Sequence, residues 1–322
     1  MEYIEVTDGK LLSESWAELH GDWDLRMNLF RSLSRIILSL SQLSMPYIGS
    51  WTIDNHGTVS LTNRPLLHQF QSFENENIPT GIPRSLTYTT TNAFYDDLLG
   101  CHNSRIRNQP NSIRDERDGL AQMANLFTMR GLLPQFTARE LRKGPFVFTL
   151  TDLRAPNIFV DSKWNIKCII DLEWGCSLPI EMLAPPYWIT DRGIDELEGN
   201  ELSEFNEALQ QFIEVFEEEE KLYPPLYGCN SYRTDIMKKG WRTGSFWYLH
   251  ALRSPKGCFN LFRQHIQPIF DNFDSDAFTK VVAPYWAPDA QKVVARKLCD
   301  KKKYERELRR LFENGIEDTD VC

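Results

Sequence analysis

The chain has 322 residues, 42% of them apolar and 25% charged, enough for a sizeable core in one large domain or two ordinary ones. Its formal charge of −9 gives no support to nucleic-acid binding. Seven scattered cysteines without a C-x-x-C pair argue against a disulfide scaffold or a structural zinc site.

The start, Met1-Glu2-Tyr3-Ile4-Glu5, lacks the basic and apolar regions of a signal peptide. Residues 3 to 6 suit a short strand ending at Asp8-Gly9. A long helix is predicted from Trp23 to Ser44, with Leu29, Leu33, Ile36, Ile37, Leu40 and Leu43 as its buried stripe and Pro46 as its stop. Arg31, Arg35 and several serines interrupt this helix, so it is no membrane span, no membrane partner is expected, and the chain reads as cytoplasmic.

A hairpin follows, Tyr47 to Ile53 and Thr58 to Leu61, turning at Asn55-His56-Gly57. Residues 77 to 84 read as loop. Helices are predicted near Asn92 to Cys101 and Ile113 to Leu132, the second capped by Asn111-Ser112. Three short strands are predicted in the centre: Phe146 to Leu150, Ile158 to Val160 and Ile166 to Ile170. Beyond Trp174 the chain turns proline-rich and then mainly helical. There, Glu217 to Glu220 reads as an exposed helix end, and Lys301–Glu305 and Lys303–Glu307 as pairs on a solvated helix.

The stretch that carries chemistry is Thr151-Asp152-Leu153-Arg154-Ala155-Pro156-Asn157, followed by Ile170-Asp171-Leu172-Glu173. Phosphoryl transfer needs a carboxylate to orient and deprotonate a hydroxyl, and oxygen ligands to hold Mg²⁺ against the phosphates. An Asp and an Asn four residues apart in a tight loop, with a second Asp at the end of the next hairpin, supply those groups. Asp152, Asn157 and Asp171 stand at these places.

The segment resembles the H-G-D-x-x-x-x-N loop and I-D-x-E strand of the aminoglycoside phosphotransferase and choline kinase superfamily. It is similar, more narrowly, to a large fungal group of such proteins, with runs like Asn63-Arg64-Pro65-Leu66, Gly144-Pro145-Phe146 and Pro185-Pro186-Tyr187-Trp188. The resemblance implies Asp152 as catalytic base, Asn157 and Asp171 as Mg²⁺ and nucleotide ligands, and Arg154 as a group that steadies the transferring phosphate. Mg²⁺ and ATP are the cofactors it implies, with a small-molecule hydroxyl as acceptor. Leu150 and Thr151 depart from the family's His and Gly.

The implied fold is α+β and mainly helical, a protein-kinase-like fold represented mostly by its C-terminal lobe with a small central β element. Residues 1–12 resemble a hinge, 13–295 form the lobe, and 296–322 a charged helical tail. No Gly-rich loop or phosphate-pairing Lys precedes the hinge-like segment, so the upper lobe is expected to be missing. A face left open there would be a candidate for self-association. Two functions follow: a small-molecule phosphotransferase, weakened by the missing lobe, or a non-catalytic kinase-like remnant that binds a ligand or protein. Glu173 reads as a structural acceptor or outer carboxylate, and Trp174, Tyr187 and Trp188 as core rather than pocket.

Overall fold

The computed structural model describes residues 9–226, 231–255, 257–270 and 275–314. The strand predicted at 3–6 and most of the hinge-like segment lie outside these residues. Among those described, the strands are β1 (Lys10–Leu11), β2 (Ser44–Met45), β3 (Ser50–Ile53), β4 (Val59–Asn63), β5 (Phe146–Leu150), β6 (Ile158–Val160), β7 (Ile166–Ile169) and β8 (Gly175–Pro179). The helices are α1 (Ser13–Leu19), α2 (Trp23–Ser41), α3 (His68–Asn75), α4 (Thr91–Asn108), α5 (Glu116–Phe136), α6 (Gly199–Glu220), α7 (Arg233–Thr243), α8 (Ser245–Arg253), α9 (Cys258–Leu261), α10 (Ser275–Val282) and α11 (Ala290–Asn314). The class is α+β and mainly helical.

All strand pairs are antiparallel, in sheets β1-β6-β7, β2-β5-β8 and β3-β4. Asx turns close two hairpins. Asp54 accepts from the amides of His56 and Thr58 at 2.8 and 2.9 Å, closing β3-β4. Asp161 accepts from Lys163 and Asn165, both at 2.9 Å, closing β6-β7. A bridge between Gly49 and Ser177 joins the first hairpin to β8. Arg64, from the Asn-Arg-Pro-Leu run, is buried; it pairs with Glu74 and donates to the Ile82 carbonyl at 2.8 Å, tying β4 to the loop after α3.

Helix α2 starts where Asp22 accepts from the Leu25 amide at 3.0 Å, and it packs along α6. Its core stripe is Leu29, Phe30, Leu33, Ser34, Leu38 and Ser41, rotated from the predicted one. Leu43 lies beyond the helix and is exposed. The cap of α5 is Asp115, which accepts from Asp118 N at 2.8 Å; Ser112 instead donates to the Ile106 carbonyl.

The acidic run at the end of α6 divides: Glu217 and Glu218 are exposed as expected, whereas Glu219 and Glu220 are only 7% and 3% exposed. Helix α6 ends between α2 and α7, where three arginines receive the two carboxylates. Glu219 pairs with Arg35 and Arg31, and Glu220 accepts from Arg233 and Thr234. The boundary expected at 296 falls inside α11. Among the described residues no helix is long and apolar enough to cross a membrane.

Candidate functional site

Strands β5 and β8 frame the loop that carries Asp152. Thr151 fastens it: its amide and hydroxyl both meet the Trp174 carbonyl, at 3.2 and 2.9 Å. A single 3-10 turn, Ala155–Asn157, then brings the chain into β6. Pro156 suits the first positions of such a turn, where no amide partner is needed. Asn157 is buried, and its side-chain nitrogen donates to the Asp152 carbonyl at 2.9 Å and to Asp152 Oδ2 at 2.8 Å. Two acceptors on one side fix the amide's orientation and turn its oxygen the other way.

The second oxygen of Asp152 faces two side-chain nitrogens. Arg154 Nε lies 3.0 Å from Oδ1 and His68 Nε2 3.4 Å from it. His68 opens α3 and stacks on Trp174, with ring centroids 3.9 Å apart and planes tilted by 20°. The Asp152 side chain is only 12% exposed, so these partners repay much of the cost of burying its charge. His68 is a functional-site residue that sequence reasoning missed. It stands far from Asp152 in the chain, and no spacing signals their meeting.

Asp171 follows β7. The Ile170 amide donates to the Asn157 carbonyl at 3.0 Å, so Asp171 begins one residue beyond a bond to the loop. Its backbone is left-handed, φ 56° and ψ 47°, a conformation Asp tolerates better than most residues. The carboxylate is exposed and bonded to neither Asp152 nor Asn157. Thus Asp152, Arg154 and Asn157 meet directly, while Asp171 is brought alongside by the backbone. Glu173 is exposed.

No group of three or more His, Cys, Asp or Glu side chains suited to a metal occurs among the described residues. The oxygens on offer to a cation are the Asn157 side-chain oxygen and the Asp171 carboxylate. Two such hard ligands suit Mg²⁺, which keeps waters and substrate phosphates in its remaining positions.

On its other side the loop borders a cavity of about 370 Å³, within the range of small-molecule sites. Ile37, Leu40, Leu67, Met182 and Pro186 supply apolar wall. Trp188 belongs to the hydrophobic core as expected, with Tyr187 packed against it, and both also line this cavity; Trp188 Nε1 donates to the Leu153 carbonyl at 2.8 Å. Two basic side chains of α8, His250 and Arg253, also face it. Burial holds the His250 imidazole well below its ordinary pKa, so it is neutral at neutral pH, and burial lowers Arg253 as well. Arg253 has its Nε sealed from solvent without a hydrogen-bond partner. Asp152 is the one acidic side chain lining the cavity among the described residues.

Comparison with known proteins finds no matching family model, no matching curated protein and no matching solved structure.

Proposed function

We propose that this chain is a kinase-like lobe of the aminoglycoside phosphotransferase and choline kinase type. In this reading it transfers the γ-phosphoryl group of ATP, with Mg²⁺, to a hydroxyl of a small molecule. The observation that carries the reading is the Asn157 clasp, 2.8 Å from nitrogen to Asp152 Oδ2, which holds the base while leaving the amide oxygen for a cation.

The acceptor hydroxyl sits in the cavity with its proton toward Asp152. Its oxygen forms a bond to the γ-phosphorus, the bond from that phosphorus to the β–γ bridging oxygen breaks, ADP leaves, and the proton passes to the Asp152 carboxylate. Mg²⁺, when bound, neutralises charge building up on the phosphates. Asn157 and Asp171 are its protein ligands. Arg154 is half exposed and free to turn from Asp152 toward the phosphate, which releases Oδ1 for the hydroxyl. Thr151, in place of the family's Gly, anchors the loop through Trp174.

The non-catalytic reading has one observation in its favour: Asp152 Oδ1 is already engaged by Arg154 and His68. Mn²⁺ as a paramagnetic substitute for Mg²⁺ separates the two. Titrated with ATP present, the protein should quench the free-ion signal. Asp171→Asn and Asn157→Ala should each weaken this by about tenfold or more. Asp152→Asn should keep the ion and lose ADP release. Ion binding indifferent to Asp171→Asn would overturn the assignment, and an ion-binding protein without ADP release would favour the remnant.

A further inference from the structure

The cavity has a polarity that the phosphotransfer reading alone does not explain. Its walls are apolar and aromatic, yet Arg253 stands in them as a cation with no carboxylate partner among the described residues. A guanidinium keeps its proton in proteins, so burial cannot neutralise it as it neutralises His250. Such a group is costly to hold unless an anion arrives. The backbone holds Arg253 in place: with its amide nitrogen turned toward α8, Gln69 donates to the Leu252 and Arg253 carbonyls at 3.2 and 2.9 Å.

Further features carry the same sign. Helix α3 starts at His68 without a side-chain cap, and His68 and Gln69 line the cavity, so the positive end of that helix opens there. Arg154 adds a second guanidinium at the mouth. Asp152, the only acidic side chain on the wall among the described residues, is already shared among Asn157, Arg154 and His68. A cationic acceptor would find no carboxylate to pair with and would meet Arg253 instead.

We propose that this cavity binds an acceptor with a carboxylate on a small apolar or aromatic body, the carboxylate paired with Arg253 and the body against Tyr187 and Trp188. A single guanidinium beside a neutral imidazole matches a monoanion better than a doubly charged phosphate. The proposal rests on the phosphotransfer reading only for the direction of the hydroxyl, toward Asp152; the anion seat stands without it.

The test needs no nucleotide. Phenylpropanoate, phenylpropanol and phenylpropylamine share one shape and differ in charge. Calorimetry on the intact protein should rank them carboxylate first, alcohol next and amine last, the first gap being about tenfold or more. Arg253→Met should erase that gap, while Arg253→Lys, which keeps the charge but loses the planar fork, should retain part of it. Asp152→Asn, which takes a negative charge from the wall, should widen the preference rather than erase it. If the wild-type protein transfers no phosphate yet shows the Arg253-dependent preference, the phosphotransfer reading falls and this one stands. Amine binding as tight as carboxylate binding would overturn it, as would a preference undiminished in Arg253→Met or failure of all three probes to bind. The ranking on the wild-type protein decides the matter even if Arg253→Met fails to fold.

Discussion

Replacing Glu220 by Gln changes one oxygen to an NH₂ at constant volume, and it should cost the protein a large part of its stability. The Glu220 carboxylate accepts from the amides of Arg233 and Thr234 at 2.8 and 2.9 Å and from the Thr234 hydroxyl at 2.5 Å, and it pairs with Arg233 Nη1 at 3.4 Å. Both side chains are buried, 1% exposed for Arg233 and 4% for Glu220. Arg233 also donates to Ser41 Oγ at 2.7 Å and to the Pro224 carbonyl at 3.1 Å. The network therefore ties the ends of α2 and α6 to the start of α7. Glutamine keeps one acceptor, turns its NH₂ against N–H donors, and removes the carboxylate charge beside the buried guanidinium. Removing one member of a buried pair typically costs about 3–5 kcal/mol, and urea unfolding of Glu220→Gln should show a loss in that range. Adding Arg233→Met should recover part of the loss, because the guanidinium that lost its Glu220 carboxylate goes with it. A loss below about 1 kcal/mol would refute the view that this carboxylate compensates a buried cation.

Burial pushes His102 and His265 down to about 4, so each stays neutral in the fold while the unfolded chain takes up a proton near pH 6.5. Stability should therefore fall as pH drops from about 6.5 to 4, by roughly 3 kcal/mol for His102. Urea melts at both ends should show a smaller drop in His102→Gln, and an equal drop would refute the assignment. At Gly175 an added Cβ would come 2.6 Å from Phe148 Cζ, so Gly175→Ala should destabilise by about 1–3 kcal/mol and weaken cavity ligands, since Phe148 lines that wall. Burial raises the thiols of Cys101, Cys176 and Cys258 to about 12, whereas Cys299 is exposed. Iodoacetamide at pH 8 should label Cys299 and spare those three until urea is added, as peptide mass spectrometry would show.

Where local chemistry decides structure, the sequence was legible. The Asn55-His56-Gly57 turn marked the first hairpin, and the apolar runs at 146–150 and 158–160 marked strands at those bounds. The Asp152-x-x-x-x-Asn157 spacing placed a carboxylate and an amide that do bond. What stayed hidden depends on distant partners. The predicted stripe of α2 mixed two surfaces: Leu29 and Leu33 enter the core, while Ile37 and Leu40 line the cavity. An apolar periodicity records that a face is covered but not whether protein or ligand covers it. Glu219 and Glu220 read as solvated because their cations, Arg35 and Arg233, sit on other helices. His68 and Arg253 were invisible for the same reason.

Asp152 joins two surroundings, and its two oxygens divide the work between them. Oδ2 belongs to the loop: Asn157 fixes it, and the same amide turns its oxygen away, with Asp171 brought alongside through the Ile170 bond to Asn157. Oδ1 belongs to the cavity side, where Arg154 and His68 meet it. A hydroxyl that reaches Asp152 must displace one of these partners, and His68, stacked on Trp174, is the less mobile. Arg154 is thus the group that yields. In the proposed complex an acceptor carboxylate on Arg253 adds negative charge to the same wall, which competes with Asp152 for the Arg154 guanidinium. The charge pattern of the cavity and the release of the base are in this view one arrangement, and Arg154→Gln should expose it. Removing that guanidinium should leave Oδ1 to His68 alone and the Arg253-dependent carboxylate preference in place, while taking away the group proposed to meet the phosphate. Carboxylate binding that vanished in Arg154→Gln would instead place the anion at the mouth of the cavity, against Arg154 itself.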